Sequence, residues 1–299
     1  MNNWYSKMHI NGHVFPSQEH DMKNKIVMDS SGDLQVMEGT EFACVPLKIV
    51  TEGREFIDDA ATDVDEMIQY LRQYTGKTTT ACPGVGEYLE AFGEAENVYC
   101  VTITSGLSGS YNAAFIAAQT YMEQHPQRKV HVFDSLSAGP EMALIAERLQ
   151  KLIVEGLDFS QIVGLVKEYQ KKTRLIFSLE SLHNLANNGR VPVAVAKVVG
   201  VLGLRLLGKA SDEGKLQPNG KARGEKKVVP ELLKKLLEMG YAGGKIRISH
   251  CCNEKAAAEL KQAVLSRFAK ADVRYWPAKA LCSFYAEAGG LLVGFETEA

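Results

Sequence analysis

The stretch "NVYCVTITSGLSGSYNAAFIAAQTYM", from Asn97 to Met122, joins an apolar run, a loop of glycine and serine residues, and an alanine-rich segment. The apolar run has the length and composition of a buried strand, and the alanine-rich segment that begins at Tyr111 favours a helix. A strand that ends near Thr104 and leads through a short loop into a helix is one unit of a parallel sheet. This stretch therefore predicts an α/β fold.

The same alternation of strands and helices extends to both sides of this stretch. Apolar residues recur at helical spacing from Val64 to Leu71, with Thr62 as the predicted N-cap, and again from Met142 to Leu152 after Pro140. Strands that alternate with helices indicate parallel β-α-β units in one sheet. The further strand candidates are "KIVMDS" from Lys25, "FACVPLKIV" from Phe42 and "KVHVFDS" from Lys129.

Beyond about residue 158 the pattern changes. The stretch "LRLLGKASDEGKLQPNGKARG" from Leu204 predicts two strands around an Asp-Glu-Gly turn, which form a hairpin. We predict an N-terminal α/β domain over residues 22–157 and a second α/β domain over residues 158–299, with residues 1–21 as an irregular arm or an upstream extension of the coding frame. The other predicted elements of the second domain are the helices "FSQIVGLVKEYQKKT", "VVPELLKKLLEMG" and "NEKAAAELKQAVLSRF" and the strands "RLIFSLE", "KIRISHCC", "DVRYWPA" and "GLLVGFE".

Composition narrows the range of functions. The chain has 299 residues, of which 45% are hydrophobic, and a net charge of −2, which gives no general electrostatic case for binding nucleic acid. No apolar run is as long as a membrane span and the N-terminus lacks a secretory pattern, so stable membrane insertion is not expected. The cysteines form no C-x-x-C pair and the histidines are scattered. This pattern indicates reduced thiols in the cytoplasm and argues against a metal site.

The loop around Ser108 allows several kinds of site. A G-x-S-x-G motif would make Ser108 a nucleophile, although Ser110 stands where that motif has its last glycine. A phosphate-binding P-loop would need a lysine after the glycine, and none follows. Where a strand leads into a helix, free backbone N–H groups and the helix dipole suit a carboxylate or a phosphate, with a serine hydroxyl as a further donor. Alternatively, Ser108 or Ser110 only caps the helix.

Other motifs are open between a structural and a functional role. Thr80 precedes Pro83, which is a favoured first residue of a helix, so its hydroxyl either caps that helix or donates to a ligand. The stretch "DSSGDL" from Asp29 follows the first strand and either caps a helix or brings carboxylates to a site. Arg190 lies in the turn "NNGRV", where a solvated side chain is usual. The basic stretch "KARGEKK" around Glu225 suits either a solvated face or a docking patch.

Taken in order, these motifs resemble those of the DegV family. The resemblance implies a two-domain DegV-like fold, with a parallel-sheet N-terminal domain, a second α/β domain and the ligand between them. It also implies a bacterial lipid-binding carrier rather than an enzyme, without a cofactor, which presents a long-chain fatty acid to a separate fatty-acid kinase subunit for acyl-phosphate formation. The matching stretches, from about Lys25 to Phe295, are "KIVMDSSGDL", "VPLKI", the Thr80–Pro83 segment, "ITSGLSGSYNAA", "VFDSLSAG", "SLESLHNLANNGRV", "GKARGEKK" and the glycine-rich end.

The resemblance also implies roles for individual residues. In the family, a threonine before the proline and the serine of the S-G-T/S stretch hold the carboxylate; those positions are Thr80 and Ser108 here. The amide of Gly109 is then a natural third donor, because a carboxylate taken from water needs hydrogen-bond partners. The arginines that correspond to Arg190 and Arg223 lie near the entrance and are used with the kinase subunit.

The sequence departs from the family pattern in two places. The family usually ends with an H-x-G-P-G stretch whose histidine reaches the head group, whereas here Tyr285 of "YAEAGGLLVGFE" stands at that position. Tyr285 either reaches the head group with its hydroxyl or is a core aromatic. The usual Lys-Pro pair appears as Arg205-Leu206. The stretch "VAVAKVVGVLGL" from Val193 offers apolar lining, and the alternatives to a fatty-acid carrier are a carrier of another amphipathic acid and a stand-alone serine esterase.

Overall fold

The computed structural model describes residues 23–198 and 203–298. The predicted arm at residues 1–21 lies outside the described residues, as do residues 199–202 of the apolar stretch that begins at Val193. The strands are β1 (Asn24–Asp29), β2 (Glu41–Val45), β3 (Lys48–Val50), β4 (Glu55–Ile57), β5 (Thr79–Ala81), β6 (Asn97–Thr102), β7 (Lys129–Asp134), β8 (Thr173–Leu179), β9 (Leu204–Ala210), β10 (Leu216–Arg223), β11 (Lys245–His250), β12 (Asp272–Pro277) and β13 (Leu291–Glu296).

Helices alternate with these strands along the chain, and short 3₁₀ turns cover Ser30–Gly32 and Glu225–Lys227. The α-helices are α1 (Val64–Gln73), α2 (Val85–Phe92), α3 (Ser110–Gln124), α4 (Pro140–Val154), α5 (Phe159–Gln170), α6 (His183–Asn187), α7 (Val193–Val198), α8 (Val228–Glu238), α9 (Glu254–Arg267) and α10 (Ala280–Ala286).

The first part of the chain builds a parallel sheet in the order β2-β1-β6-β7. All neighbouring strands in it are parallel, and every residue of β6 is buried. Fully buried strands of this kind belong to parallel sheets that are covered on both faces. The predicted α/β class with a parallel N-terminal sheet is therefore confirmed.

The second part builds a mixed sheet in the order β10-β9-β8-β13-β11-β12. Its neighbours are antiparallel except for β11 and β12, which run parallel. The predicted hairpin is present, because β9 and β10 pair antiparallel around a turn in which Gly214 N donates to Ser211 O at 2.8 Å. Strands β10 and β12 form the two edges of this sheet.

A three-stranded antiparallel sheet in the order β4-β3-β5 was not expected from the sequence. The prediction of one strand over "FACVPLKIV" is wrong, because the run divides at Pro46 and its halves, β2 and β3, join different sheets. Proline lacks the N–H that a continuous ladder requires, so β2 ends at the residue before it. This small sheet carries Thr80 on β5, paired with Ile49 of β3.

Helix α4 lies between the parallel and the mixed sheet and contacts strands of both. It begins at Pro140, as predicted, and its apolar side chains are buried on several faces, among them Met142, Leu144, Ile145 and Leu149. Met142, Ile145 and Leu149 share an apolar cluster with strands of the parallel sheet. On the side of the mixed sheet, Glu147 pairs with Arg247 of β11 at 2.6 Å, so α4 joins the two sheets through different kinds of contact.

Two helix starts differ from the prediction. Asp63, not Thr62, is the N-cap of α1, and its carboxylate accepts from Glu66 N at 3.0 Å. Helix α2 begins at Val85 rather than at Pro83, so the hydroxyl of Thr80 caps no helix and belongs to β5. In both cases the helix starts one or two positions later in the chain than predicted.

The tip of the β9–β10 hairpin packs against the loop that follows β6. Gly214 has a φ of +70°, and a Cβ added to it would lie 2.0 Å from Thr104 Oγ1. On the facing loop, a Cβ at Gly106 would lie 3.0 Å from Glu213 O. Since real Cβ atoms do not approach so closely, glycine is required at Gly214 both for its conformation and for this contact.

Candidate functional site

A cavity lies between the parallel sheet and the mixed sheet. It encloses about 720 Å³ that protein atoms do not fill, including solvent space at its opening. Its walls are mainly apolar, and both parts of the chain contribute to them, among them Ile103, Leu175, Phe177, Leu179, Leu281 and Leu292. A buried apolar cleft with few polar groups is the usual form of a small-molecule site.

The hydroxyls of Thr80 and Tyr285 meet in the cavity wall. Their oxygens lie 2.7 Å apart, with Thr80 on β5 and Tyr285 on α10, and both side chains are half-buried. Burial raises the pKa of Tyr285, although the bond to Thr80 and the nearby Arg190 guanidinium oppose the rise. The phenol therefore stays neutral near pH 7 and can donate a hydrogen bond.

Ser108 also lines the cavity, at the start of α3. Its Oγ accepts from Ser110 N at 3.2 Å, which leaves the hydroxyl hydrogen free to donate. The N-cap residue of α3 is Gly109, which has no side chain that could cap the helix. Ser108 Oγ satisfies the first amide of α3 as a cap would, whereas Ser110 Oγ donates to Asp29 and does not cap. The later first-turn amides of α3 have no intrahelical acceptors.

A buried carboxylate holds this loop in place. Asp29, at the end of β1, is fully buried and accepts hydrogen bonds from Ser110 Oγ at 2.6 Å, from Ile103 N at 2.8 Å and from Ser31 Oγ. Burial raises the pKa of Asp29, and these hydrogen bonds oppose the rise. The hydroxyl of Tyr88 lies 2.6 Å from Ser110 Oγ and completes the network. Asp29 of the motif "DSSGDL" thus supports the loop of Ser108.

The predicted arginines are in different places. Arg190 follows Gly189, whose φ is +72°. The Arg190 amide donates to Leu185 O at 2.8 Å, and the Arg190 side chain lines the cavity. Arg223 is exposed at the end of the edge strand β10 and is not part of the cavity wall. Gly109 is exposed beside Ser108 and is likewise not part of the wall.

A serine hydrolase would need a base beside Ser108. No histidine lines the cavity in the part of the chain that the structure describes, so Ser108 has no imidazole base there. Within residues 23–198 and 203–298, no group of His, Cys, Asp and Glu could hold a metal ion. No helix in the same ranges combines the length and the apolar character that crossing a membrane requires.

The fold and the cavity define a class of α/β protein in which a parallel sheet and a mixed sheet lie on either side of an apolar cavity lined in part by hydroxyl groups. The chain belongs to the DegV family, whose model matches residues 23–298. A DegV domain-containing protein of Streptococcus pneumoniae is 43% identical over 278 residues, which cover 92% of this chain and 99% of that protein.

Two solved structures resemble the chain over most of its length. A DegV family protein from Eubacterium eligens, loaded with heptadecanoic acid, has a TM-score of 0.90 and 45% identity, and the match covers 92% of this chain and 100% of that one. The Fatty Acid Kinase (Fak) B3 protein of Streptococcus pneumoniae, loaded with linoleic acid, has a TM-score of 0.91 and 43% identity, and the match covers 93% and 100%. The predicted DegV-like fold is thereby confirmed.

Proposed function

We propose that this chain is a carrier that binds a long-chain fatty acid in the cavity and has no catalytic activity of its own. The observation that carries this proposal is the cavity itself, whose lining is mainly apolar and includes the hydroxyls of Thr80, Ser108 and Tyr285. The relatives from Eubacterium eligens and Streptococcus pneumoniae were solved with a 17-carbon acid and with linoleic acid, which supports the same class of ligand here.

The acyl chain supplies most of the affinity. Each buried methylene contributes about 0.8 kcal/mol, so a dozen methylenes contribute on the order of 10 kcal/mol. Part of this is offset by the loss of ligand freedom on binding. The leucine and phenylalanine side chains of β8, together with Leu281 and Leu292, provide the apolar surface.

The carboxylate binds at the hydroxyl end. A buried carboxylate needs donors, since transfer from water without hydrogen bonds is unfavourable. Ser108 has a free hydroxyl hydrogen, and the pair of Thr80 and Tyr285 has one more hydrogen than the bond between them uses. Gly109 adjoins Ser108 at the start of α3 but is not part of the cavity wall, and we assign its amide as the third donor. The dipole of that helix favours the negative charge.

The carrier presents the bound acid to a fatty-acid kinase subunit, which makes the acyl phosphate. The name of the Streptococcus pneumoniae relative, Fatty Acid Kinase (Fak) B3 protein, supports this partnership. Arg190 at the cavity and Arg223 on the edge strand are the residues that we assign to the partner face, because guanidinium groups suit phosphate chemistry.

We place the protein in the cytoplasm because all of its cysteines are unpaired. The two domains over residues 22–157 and 158–299 would enclose the ligand.

Native mass spectrometry of the protein purified from its source tests the proposal. A stoichiometric adduct with the mass of a fatty acid, identified after lipid extraction, is the expected result. An adduct with the mass of another amphipathic acid would show that this acid, and not a fatty acid, is the ligand. Protein without lipid that hydrolyses activated esters unaided, and loses this activity in Ser108→Ala, would show an esterase instead.

A further inference from the structure

Helix α10 forms part of the cavity wall and packs against the other half of the molecule. Its residues Leu281, Cys282, Tyr285 and Ala286 line the cavity. Helix α10 contacts α1, β3 and the Ser30–Gly32 turn of the first part of the chain, as well as α6 of its own half. Ala280 and Phe284 share an apolar cluster with residues of β3, β4 and α1, namely Ile49, Phe56 and Met67. The position of α10 therefore decides whether the cavity is closed on this side.

Two buried carboxyl groups from the first part of the chain bind the start of α10. Asp33 Oδ1 accepts from Lys279 N at 2.9 Å, and Asp58 Oδ1 accepts from Ala280 N at 2.7 Å. Asp33 is 3% exposed and Asp58 is 0% exposed. Consecutive amides at the beginning of one helix are thus held by two side chains that lie across the interface.

In each of the two carboxyl groups, Oδ1 accepts a hydrogen bond from α10 and Oδ2 does not. Asp33 Oδ2 and Asp58 Oδ2 are buried and have no hydrogen-bond partner among the described residues. Burial raises the pKa of Asp33 to about 6 and that of Asp58 to about 7. The nearby Ser30 hydroxyl opposes the shift of Asp58, and the charge of Asp33 adds to it. Ser249 and Cys282 lie near Asp33 and oppose its shift, but neither donates to Oδ2 in this geometry.

Other ionisable groups surround the pair. The Lys279 ammonium lowers the pKa of Asp33. The thiols of Cys44 and Cys282 have raised pKa values because of burial, so they stay protonated near neutral pH. The remaining carboxyl groups that interact with these thiols are Asp29, held by Ser31 and Ser110, and Asp59, bonded to Ala61 N and Thr62 N. Of these carboxyl groups, only Asp33 and Asp58 bind α10.

The direction of the pH effect follows from linkage. When α10 moves away, both carboxyl groups meet water, and their pKa values return to about 4. Since their pKa values are higher in the closed arrangement, closure is most favourable at pH below about 4 and weakens as the pH rises through the raised values. Ionisation of a buried, half-satisfied carboxyl group is the physical cause.

We propose that Asp33 and Asp58 are positioning residues that hold α10 over the cavity and release it progressively as the pH rises from about 5 to about 8. This property belongs to the chain itself and does not depend on which ligand the cavity binds.

Hydrogen exchange followed by mass spectrometry on protein stripped of lipid tests the proposal. The readout is the protection of residues 278–286 between pH 5 and pH 8, after division by the intrinsic exchange rate of the unfolded segment. We expect protection to fall by roughly tenfold or more across this range, because the two raised pKa values lie within it. A flat wild-type profile would overturn the proposal.

Variants show whether the pH dependence of protection comes from Asp33 and Asp58 or from other titrating residues. Asp58→Asn should remove a large part of the pH dependence, and the double variant Asp33→Asn/Asp58→Asn should remove nearly all of it. Asp59→Asn makes the same chemical change at the adjacent, partly exposed residue and should keep the wild-type profile. If Asp58→Asn keeps the full wild-type profile, the assignment is wrong. If the double variant does not fold, the wild-type profile and Asp58→Asn decide the matter.

Discussion

The hydroxyl oxygens of Thr80 and Tyr285 lie 2.7 Å apart although 205 positions separate them in the chain. The bond joins the small antiparallel sheet to helix α10 within the cavity wall. One hydrogen lies between the two oxygens, so the other remains free for a carboxylate. Tyr285 can therefore act on the ligand through Thr80 as well as directly.

Ser108→Ala is expected to weaken fatty-acid binding and to leave the fold intact. The change removes one donor to a buried charged group, which is worth about 1.5–3 kcal/mol, or about 10- to 150-fold in Kd. Thr80→Ala should have a similar effect, and the two should be non-additive because they share the ligand. Isothermal titration with a C16–C18 acid measures these effects. Ser105→Ala, at an exposed position of the same loop, is the matched control. Wild-type affinity in both single variants would exclude the assignment.

Tyr285→Phe is expected to weaken binding and to cost little stability. It removes the partner of Thr80 and almost no volume, so the free energy of unfolding should fall by about 0.5–1.5 kcal/mol. The same titration and a thermal melt measure both quantities, with Tyr275→Phe on β12, outside the cavity wall, as control. If stability falls and affinity does not, Tyr285 is only a core aromatic and the head group depends on Thr80 and Ser108.

Tyr285→His is expected to make binding depend on pH where the wild-type phenol stays neutral. An imidazole with a pKa near 6.5 gains a charge as the pH falls, and this charge attracts the carboxylate. The ratio of variant to wild-type affinity should therefore rise as the pH falls from about 8 to about 5.5. Dividing the affinity of the variant by that of the wild type cancels the pH dependence that comes from titration of the ligand itself. A constant ratio would place residue 285 out of reach of the head group.

Arg190→Ala and Arg223→Ala are both expected to reduce acyl-phosphate formation by the kinase partner. Arg223→Ala should leave fatty-acid binding nearly unchanged, whereas Arg190→Ala should also weaken it, because the Arg190 side chain lines the cavity near Tyr285. The test is a reconstituted phosphorylation assay at saturating fatty acid. Arg274→Ala, an exposed arginine on the opposite edge strand β12, controls for the loss of one positive charge. Normal phosphorylation in both variants would show that these arginines are ordinary surface residues.

Gly214→Ala is expected to lift the hairpin tip from the loop of Ser108 and to weaken both stability and binding. Its Cβ would lie 2.0 Å from Thr104 Oγ1, in addition to the strain of a φ of +70°. Gly156→Ala is the control, because Gly156 has a φ of +75° and nothing within 4 Å of its Cβ position. The backbone strain is similar in the two variants, so a larger loss of melting temperature in Gly214→Ala isolates the contact. Equal losses would show that the contact contributes nothing.

The sequence predicted the elements whose signals are local. The alternation around β6 and α3, the hairpin after Leu204 and the start of α4 at Pro140 all follow from periodicity and turn composition. The three-residue strands of the small sheet carry no such signal, and Pro46 divides a run that is apolar except for Lys48. Their pairing depends on contacts that a single sequence does not display.

The candidate site was predictable in part for the same reason. Thr80, Ser108, Arg190 and Tyr285 were all singled out, and the structure brings them to one cavity. Their roles in binding remain predictions. Asp58 was missed, because an aspartate in "FIDDAAT" has the composition of an ordinary loop. Only the fold shows that it is buried against α10.

The cavity between the sheets has a consequence for the turnover of the protein. Ile103 and Leu281 face it from opposite halves of the chain, so an acyl chain bound there would complete a hydrophobic core that the polypeptide builds only in part. A ligand at about 1,000 times its Kd adds about 4 kcal/mol to the stability of the folded state. Cellular proteases remove the less stable form faster. The amount of this protein in a cell would then follow the supply of fatty acid without any change in transcription.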